Sequence, residues 1–386
     1  MSETWTIGVD VGGTFTDLCA IESGSGRIAL NKVSSTPANP AEAIIAGLDA
    51  LAQKAGFDLG DVRAIGHGTT VATNALIQRT GAKVAMVTTR NFRDLVEIGR
   101  QIRPKMYDLK ADFPPPLAPR HLRFEVSERV GADGAVVEPL DMDSVDAVIA
   151  ALRAEEVEAV AIAFLFAYLN PAHEQAVKAR IAAAMPGVAV SASSDVMPEF
   201  REYERSSTTL LNAYLQPAFA QYMRTLEREV AARSPVSSLG VNQSSGGLMS
   251  VETAREFPIR TAMSGPAAGA NGAIHTALQS GVANVITFDV GGTSADVALI
   301  RDRAIGLAFD RDVAGFPVRM PMVDINTVGA GGGSLAWFDR DGLMKVGPAS
   351  AGARPGPACY GRGGDQATVT DANVVLGRIG SRSFMD

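Results

Sequence analysis

The octapeptide "DVGGTFTD" at residues 10–17 returns as "DVGGTSAD" at residues 289–296, and this repeat constrains the fold more than any bulk property of the chain. Six of nine positions agree between "VDVGGTFTD" and "FDVGGTSAD". Each copy ends an apolar strand pattern, "TWTIGVDVGG" or "NVITFDVGG", and precedes two more. In the first copy these are "FTDLCAIES" and "RIALNKVSS", joined at "GSG", whose glycines permit a tight hairpin turn. In the second they are "SADVALIRD" and "AIGLAFDRD", joined at "RDR". A shared three-strand meander around a shared motif implies a duplicated fold, and 386 residues are enough for two lobes.

The stretch after the first meander supports an α/β reading. Asn39 and Pro40 mark a helix start, "AEAIIAGLDALAQKAG" has helical spacing, and Gly56 is its stop. "VRAIGHG" then reads as a strand, "TVATNALIQRTG" as a helix and "KVAMVTT" as a strand, which is the order of a ribonuclease H-like layer. Helix, strand, helix, strand continues over residues 143–192, with "VEAVAIAFLFAYL" as a buried parallel strand too short to span a membrane. "EYERSSTTLLNAYLQPAFAQYMRTLEREVAAR" is a long amphipathic helix, interrupted or kinked near Pro217, that could connect the lobes. The expected division is an N-terminal lobe over residues 1–200 and a second lobe over residues 201–386. A net charge of -7 does not point to nucleic acid, and Cys19 and Cys359 without a CxxC pair argue against a disulfide framework or a cysteine zinc site. No basic leader precedes the first strand, so the expected setting is the cytoplasm, without membrane association.

Glycines at a strand end let backbone approach an anion, and the N–H groups of such a turn can form a nest for phosphate oxygens. Gly12, Gly13, Gly291 and Gly292 fill that role on sequence grounds, with Thr14 and Thr293 adding hydroxyl donors and Thr16 beside the first turn. Asp10 and Asp289, at the strand ends, are candidates for magnesium held through water, because Mg2+ keeps much of its hydration shell. Asp17 and Asp296 could orient their turns or contact metal or water. Two such turns suit the two sides of a polyphosphate.

These residues bring a resemblance. The doubled motif resembles the actin and hexokinase superfamily of ATPases, whose two ribonuclease H-like lobes close on Mg-ATP. More narrowly, "GHGTTVATNALIQRTGAKVAMVTTRNFRDLVEIGRQIRP", "RTAMSGPAAGANGA", "NTVGAGGGSLAWFD" and "GPACYGRGG" resemble blocks of the hydantoinase A, 5-oxoprolinase and acetone carboxylase beta-subunit family. The resemblance implies an ATP-dependent enzyme that phosphorylates a carbonyl oxygen. The acceptor is a cyclic amide or imide that water then opens, or a ketone that is carboxylated. It further implies a hydantoinase B-type partner subunit.

Within these blocks, "GHGTTVATNAL" opens a helix after a strand, a position that favours an anion, so His67, Thr69, Thr70 and Asn74 are candidates for the phosphoryl group or substrate carbonyl, with Asp289 assisting. Ser264, Gly265 and Gly269 border the nucleotide or pack tightly. Gly331 and Gly332 in "VGAGGGS" suit a close backbone approach to phosphate; the context for a dinucleotide fold is missing. The Pro/Gly-rich segment 347–364 reads as an ordered functional loop. Cys359 within it has no local histidine and reads as a packed or substrate-lining thiol. Family members are longer, with their adenosine-contacting turn late in the second lobe, so that lobe is expected to be truncated here. A non-catalytic short homologue acting as a binding partner is the contrasting expectation.

Overall fold

Trp5, Ile7, Val9 and Val11 are buried while the residues between them are exposed, an alternation that makes Trp5–Val11 (β1) a half-buried strand. The computed structural model describes residues 4–12, 15–36, 39–104, 106–352 and 355–380. Phe15–Glu22 (β2) and Ile28–Ser34 (β3) complete the antiparallel meander. Pro40–Ala55 (α1) begins on its proline and stops at Gly56, whose φ of 73° is left-handed. Val62–Thr69 (β4) returns parallel to β1, followed by the helix Val71–Gln78 (α2).

The fifth strand of this layer differs from the expectation. Val84–Thr89 (β5) does not join the sheet of β1. It belongs to a second, four-stranded sheet with Arg123–Val126, Ala159–Ala163 and Ala189–Ala192, parallel throughout. All five residues of Ala159–Ala163 are buried, as a strand covered on both faces requires. The place beside β4 goes to Ser238–Asn242, far along the chain, with Leu248–Ser250 at the edge.

The chain forms two compact units, one running up to Gly265 and taking in Ala308–Met322, the other holding Pro266–Leu307 and the residues from Val323 on. This differs from a division at residue 200. The helix Glu202–Arg233 runs without a break through Pro217, and Leu211, Ala213, Leu215, Phe219, Met223 and Leu226 enter the first unit's core. It therefore does not bridge two lobes. Strand Ser238–Asn242 follows it into the first sheet.

In the second unit, Val285–Val290 pairs with Ala295–Arg301, as β1 pairs with β2. The third strand departs from the repeat. Only Ala304–Ile305 pairs back, and the rest of that edge is taken by Ile325–Val328. The intervening hairpin, Leu307–Val313 with Phe316–Val323, sends Val313, Phe316, Val318 and Met322 into the first unit's core. The second unit's own core is small: Ala267, Ala270, Ala298, Val323 and Ile325. Among the described residues no strand pairs with the outer edge of Val285–Val290, where Ile286, Phe288 and Val290 are exposed. No helix among the described residues is long and apolar enough to cross a membrane.

Candidate functional site

The two repeated turns are closed by the same bond. Gly12 N–H donates to the Phe15 carbonyl at 3.0 Å, and Gly291 N–H donates to the Ser294 carbonyl at 2.9 Å. Register agrees too: Asp10 faces Asp17 and Val11 faces Thr16, as Asp289 faces Asp296 and Val290 faces Ala295. Gly13 and Thr14 lie outside the described residues. Gly291, Gly292 and Thr293 are exposed, so this turn presents backbone to solvent.

Space around Asp10 is reserved by missing side chains. A methyl group at Gly68 would sit 3.0 Å from Asp10 Oδ1 and 3.3 Å from Asn242 Nδ2, and one at Gly265 would sit 3.6 Å from the same carboxylate oxygen. Gly68 and Gly265 thus flank the carboxylate. Asn242 was not found from sequence, because the strand that carries it was not assigned to this sheet. Ser264 fixes the start of the helix Ser264–Gln279 by donating to the Thr69 carbonyl at 3.1 Å.

The expected set around "GHGTT" separates into two groups. His67 is 1% exposed, with its Nε2 2.7 Å from the Tyr222 hydroxyl. Burial drives its pKa down to about 4, with the Val9 backbone opposing. An imidazole in that position is uncharged at neutral pH and turned into the core, which favours a structural role over the catalytic one expected from the motif. Thr69 is likewise buried, and its Oγ1 accepts the Val71 N–H. Thr70 and Asn74 instead line a 660 Å3 pocket with Gly12, Ser35 and Gln221. The Thr70 hydroxyl donates to the Val11 carbonyl at 2.9 Å and accepts from Asn74 Nδ2 at 3.2 Å.

The buried imidazole sets a pH dependence. His67 has a folded pKa of about 4 against 6.5 for the free side chain, so the unfolded chain takes up the proton first as pH falls. Its stabilising contribution is complete above pH 6.5 and is lost progressively between 6.5 and about 4, amounting to about 3 kcal/mol. Urea denaturation at pH 7.5 and pH 4.5 should show this loss, and His67→Gln should flatten it; equal slopes in both proteins would refute the assignment.

Other expected residues brace the turns. Thr16 is buried with its Oγ1 3.0 Å from Ser35 Oγ, and the Ser35 hydroxyl donates to the Gly12 carbonyl at 2.8 Å. Asp17 forms an exposed ion pair with Lys32 at 2.7 Å on the sheet surface. In the second unit, Asp289 and Asp296 line one 640 Å3 pocket with Thr287, Pro266 and Gly269. Asp296 Oδ1 accepts the Thr327 hydroxyl at 2.6 Å.

Gly331 and Gly332 pack directly on the second turn. Gly332 N–H and Gly333 N–H donate to the carbonyls of Gly291 and Gly292 at 2.9 and 2.6 Å. On the other side Thr370 N–H donates to the Gly332 carbonyl at 2.7 Å. The Gly332 and Gly333 amides thus hold the turn while Gly331 N–H donates to Ser334 Oγ at 2.8 Å, which favours a supporting role for this segment over a direct phosphate contact. In the Pro/Gly-rich segment, Cys359 N–H donates to Asp371, and burial together with that carboxylate pushes the thiol up to about 11. It is protonated at neutral pH.

The donor set also bears on metal. Among the described residues no three His, Cys, Asp or Glu side chains cluster as a metal site. Asp10 at the first turn and the pair Asp289 and Asp296 at the second fit Mg2+ held mainly by water and phosphate oxygens, and do not fit a cage of protein ligands.

Comparison with known proteins places this geometry. The pattern of the hydantoinase/oxoprolinase N-terminal region matches residues 6–185, and the hydantoinase/oxoprolinase pattern matches residues 205–386. The chain is 39% identical over 392 residues to caprolactamase subunit alpha of Pseudomonas jessenii, covering 99% of this chain and 56% of that one. It superimposes on the crystal structure of the ATP-dependent caprolactamase with a TM-score of 0.85, covering 97% of this chain and 55% of that chain. It is 34% identical over 415 residues to the 5-oxoprolinase of Saccharomyces cerevisiae, covering 97% of this chain and 32% of that protein. The nucleotide-free structure of acetone carboxylase, 29% identical, superimposes with a TM-score of 0.81 over 98% of this chain and 55% of that one. The chain thus spans about half or less of the relatives it matches.

Proposed function

Because this chain belongs to the hydantoinase/oxoprolinase family, we propose that it is the ATP-dependent subunit that phosphorylates the carbonyl oxygen of a cyclic amide or imide before ring-opening hydrolysis. The observation that carries the reading is the pair of hairpins with one register and one closing bond, each with an aspartate one residue before the strand end. Similarity to an ATP-dependent caprolactamase and to 5-oxoprolinase supports the cyclic amide as acceptor.

The chemistry explains why ATP is needed. A lactam resists water because its nitrogen donates into the carbonyl. When the carbonyl oxygen attacks the γ-phosphorus and ADP leaves, that oxygen becomes a phosphate ester. Water then adds to the carbon, the ring C–N bond breaks as the protonated nitrogen leaves as the amine, and a second water cleaves the resulting acyl phosphate to carboxylate and inorganic phosphate. Transfer of this kind needs positioning and charge stabilisation above all. Asp10 and Asp289 would hold Mg2+, which would neutralise charge on the phosphates. Gly292 and Thr293 would bring backbone and hydroxyl donors to the phosphate oxygens, while Gly12 and Gly291, whose own N–H groups close their turns, act with Gly331 and Gly332 to keep the turns in shape. Thr70 and Asn74 present their polar groups beside Gly12. The name of the relative caprolactamase subunit alpha supports a multi-subunit assembly, and the partner proposed is of the hydantoinase B type.

The likeness to acetone carboxylase favours a second reading, a ketone acceptor with the same first step. ATP hydrolysis measured with cyclic amides, imides and ketones, with and without bicarbonate and a B-type partner, separates the two. Ring-opened product without bicarbonate is expected. Bicarbonate-dependent carboxylation would transfer the assignment to the ketone reading, and no acceptor-stimulated hydrolysis in any combination would refute both.

A further inference from the structure

A 300 Å3 pocket in the first unit lies apart from the residues assigned above. Gln243 and Ser245 line it just past the end of strand Ser238–Asn242, which runs parallel to β4. Met197 and Pro198 line it beyond the end of Ala189–Ala192, which runs parallel to Ala159–Ala163. The pocket therefore sits off the carboxyl ends of parallel strands from both sheets, where open α/β folds take their ligands. Its volume is at the low end for a small-molecule site, about 300 Å3.

Two arginines line this pocket, and they differ in charge balance. Arg319 is neutralised, since its Nε donates to Glu199 at 3.1 Å and its Nη1 to Asp310 at 2.8 Å. Arg260 has no carboxylate within ion-pair distance among the described residues, and its guanidinium lies 4.4 Å from the Phe257 ring centroid. It is half-buried, and that burial lowers its pKa, with Glu256 opposing. A partly desolvated guanidinium held over a ring is prepared for a planar anion. Met197, Pro198 and Met320 supply an apolar wall beside it.

We propose that this pocket binds the carboxylate of a small organic acid, with Arg260 as the recognising cation and the apolar wall taking the body of the ligand. It rests on the function proposed above in one respect: for a chain that activates cyclic amides, the ligand is a lactam that carries a carboxylate. Asn242, one residue before the lining residue Gln243, approaches the same Gly68 position as Asp10, so the pocket lining adjoins the Asp10 site in sequence.

The test compares 5-oxoproline with 2-pyrrolidinone, the same ring without its carboxylate, by calorimetric titration into the 386-residue chain and its Arg260→Gln and Arg260→Lys variants. ATP binding is followed in the same preparations, and melting curves check the fold. The expected result is at least tenfold preference for 5-oxoproline, a loss of roughly 10- to 100-fold in Arg260→Gln, and a smaller loss in Arg260→Lys, with ATP binding unchanged. Equal binding of the two rings, no binding of either, or unchanged affinity in a folded Arg260→Gln variant would overturn the proposal. Selective carboxylate binding without any ATP binding would sink the phosphorylation reading and leave the pocket standing. ATP binding with unselective rings would do the reverse.

Discussion

Asp289→Asn is expected to lower magnesium-dependent ATP turnover roughly 100-fold or more in the assembled enzyme, and Asp10→Asn to do the same, because each removes one anion and leaves the shape of its strand end. Asparagine is close to isosteric with aspartate, so packing against Gly68 and Gly265 is kept at residue 10. At residue 289 the neighbouring Asp296 retains its bond to Thr327. The loss should therefore appear in turnover and in the magnesium requirement with little change in melting temperature. Unchanged turnover in both variants would refute the assignment of these carboxylates.

The second large effect is steric. A methyl group at Gly331 would lie 2.6 Å from the Gly291 carbonyl oxygen and 2.7 Å from both the Gly292 carbonyl carbon and the Ser294 nitrogen. All three are backbone atoms, so the turn itself must move. Gly331→Ala should cost about 1–3 kcal/mol locally and lower nucleotide affinity at least tenfold. Gly292→Ala is the informative contrast, because nothing lies within 4 Å of that methyl group in the free protein. A folded Gly292→Ala protein that no longer binds nucleotide would show that phosphate approaches the backbone there. Normal binding by both variants would remove this turn from the site.

Much of this was legible in the sequence because it depends on local rules. The doubled motif, the alternation of β1, the proline and glycine that delimit α1, and the buried apolar run at Ala159–Ala163 follow from side-chain period and backbone freedom. What was not legible depends on pairing across long separations. Ser238–Asn242 has no local signal that it will sit beside β4, and its distance along the chain hid both the sheet order and Asn242. The burial of His67 has the same origin, since the helix that brings Tyr222 against it begins at Glu202. A motif histidine is read as a ligand-facing group until the element that covers it is known. Arg260 was missed because an arginine in "FPIR" has no distinctive spacing, and only the ion pairs of Arg319 mark the contrast.

The edge of Val285–Val290, which pairs with no strand among the described residues, has a consequence for how the polypeptide behaves in a crowded solution. An unpaired strand beside exposed Ile286, Phe288 and Val290 is a template onto which any extended chain can add, including another copy of itself. The net charge of -7 holds copies apart, but at about 0.1 M salt that repulsion reaches only about 10 Å. Sticky strand edges and long-range repulsion thus compete, and ionic strength sets the balance. A polypeptide that paired with this edge would remove the template and with it this route to self-association.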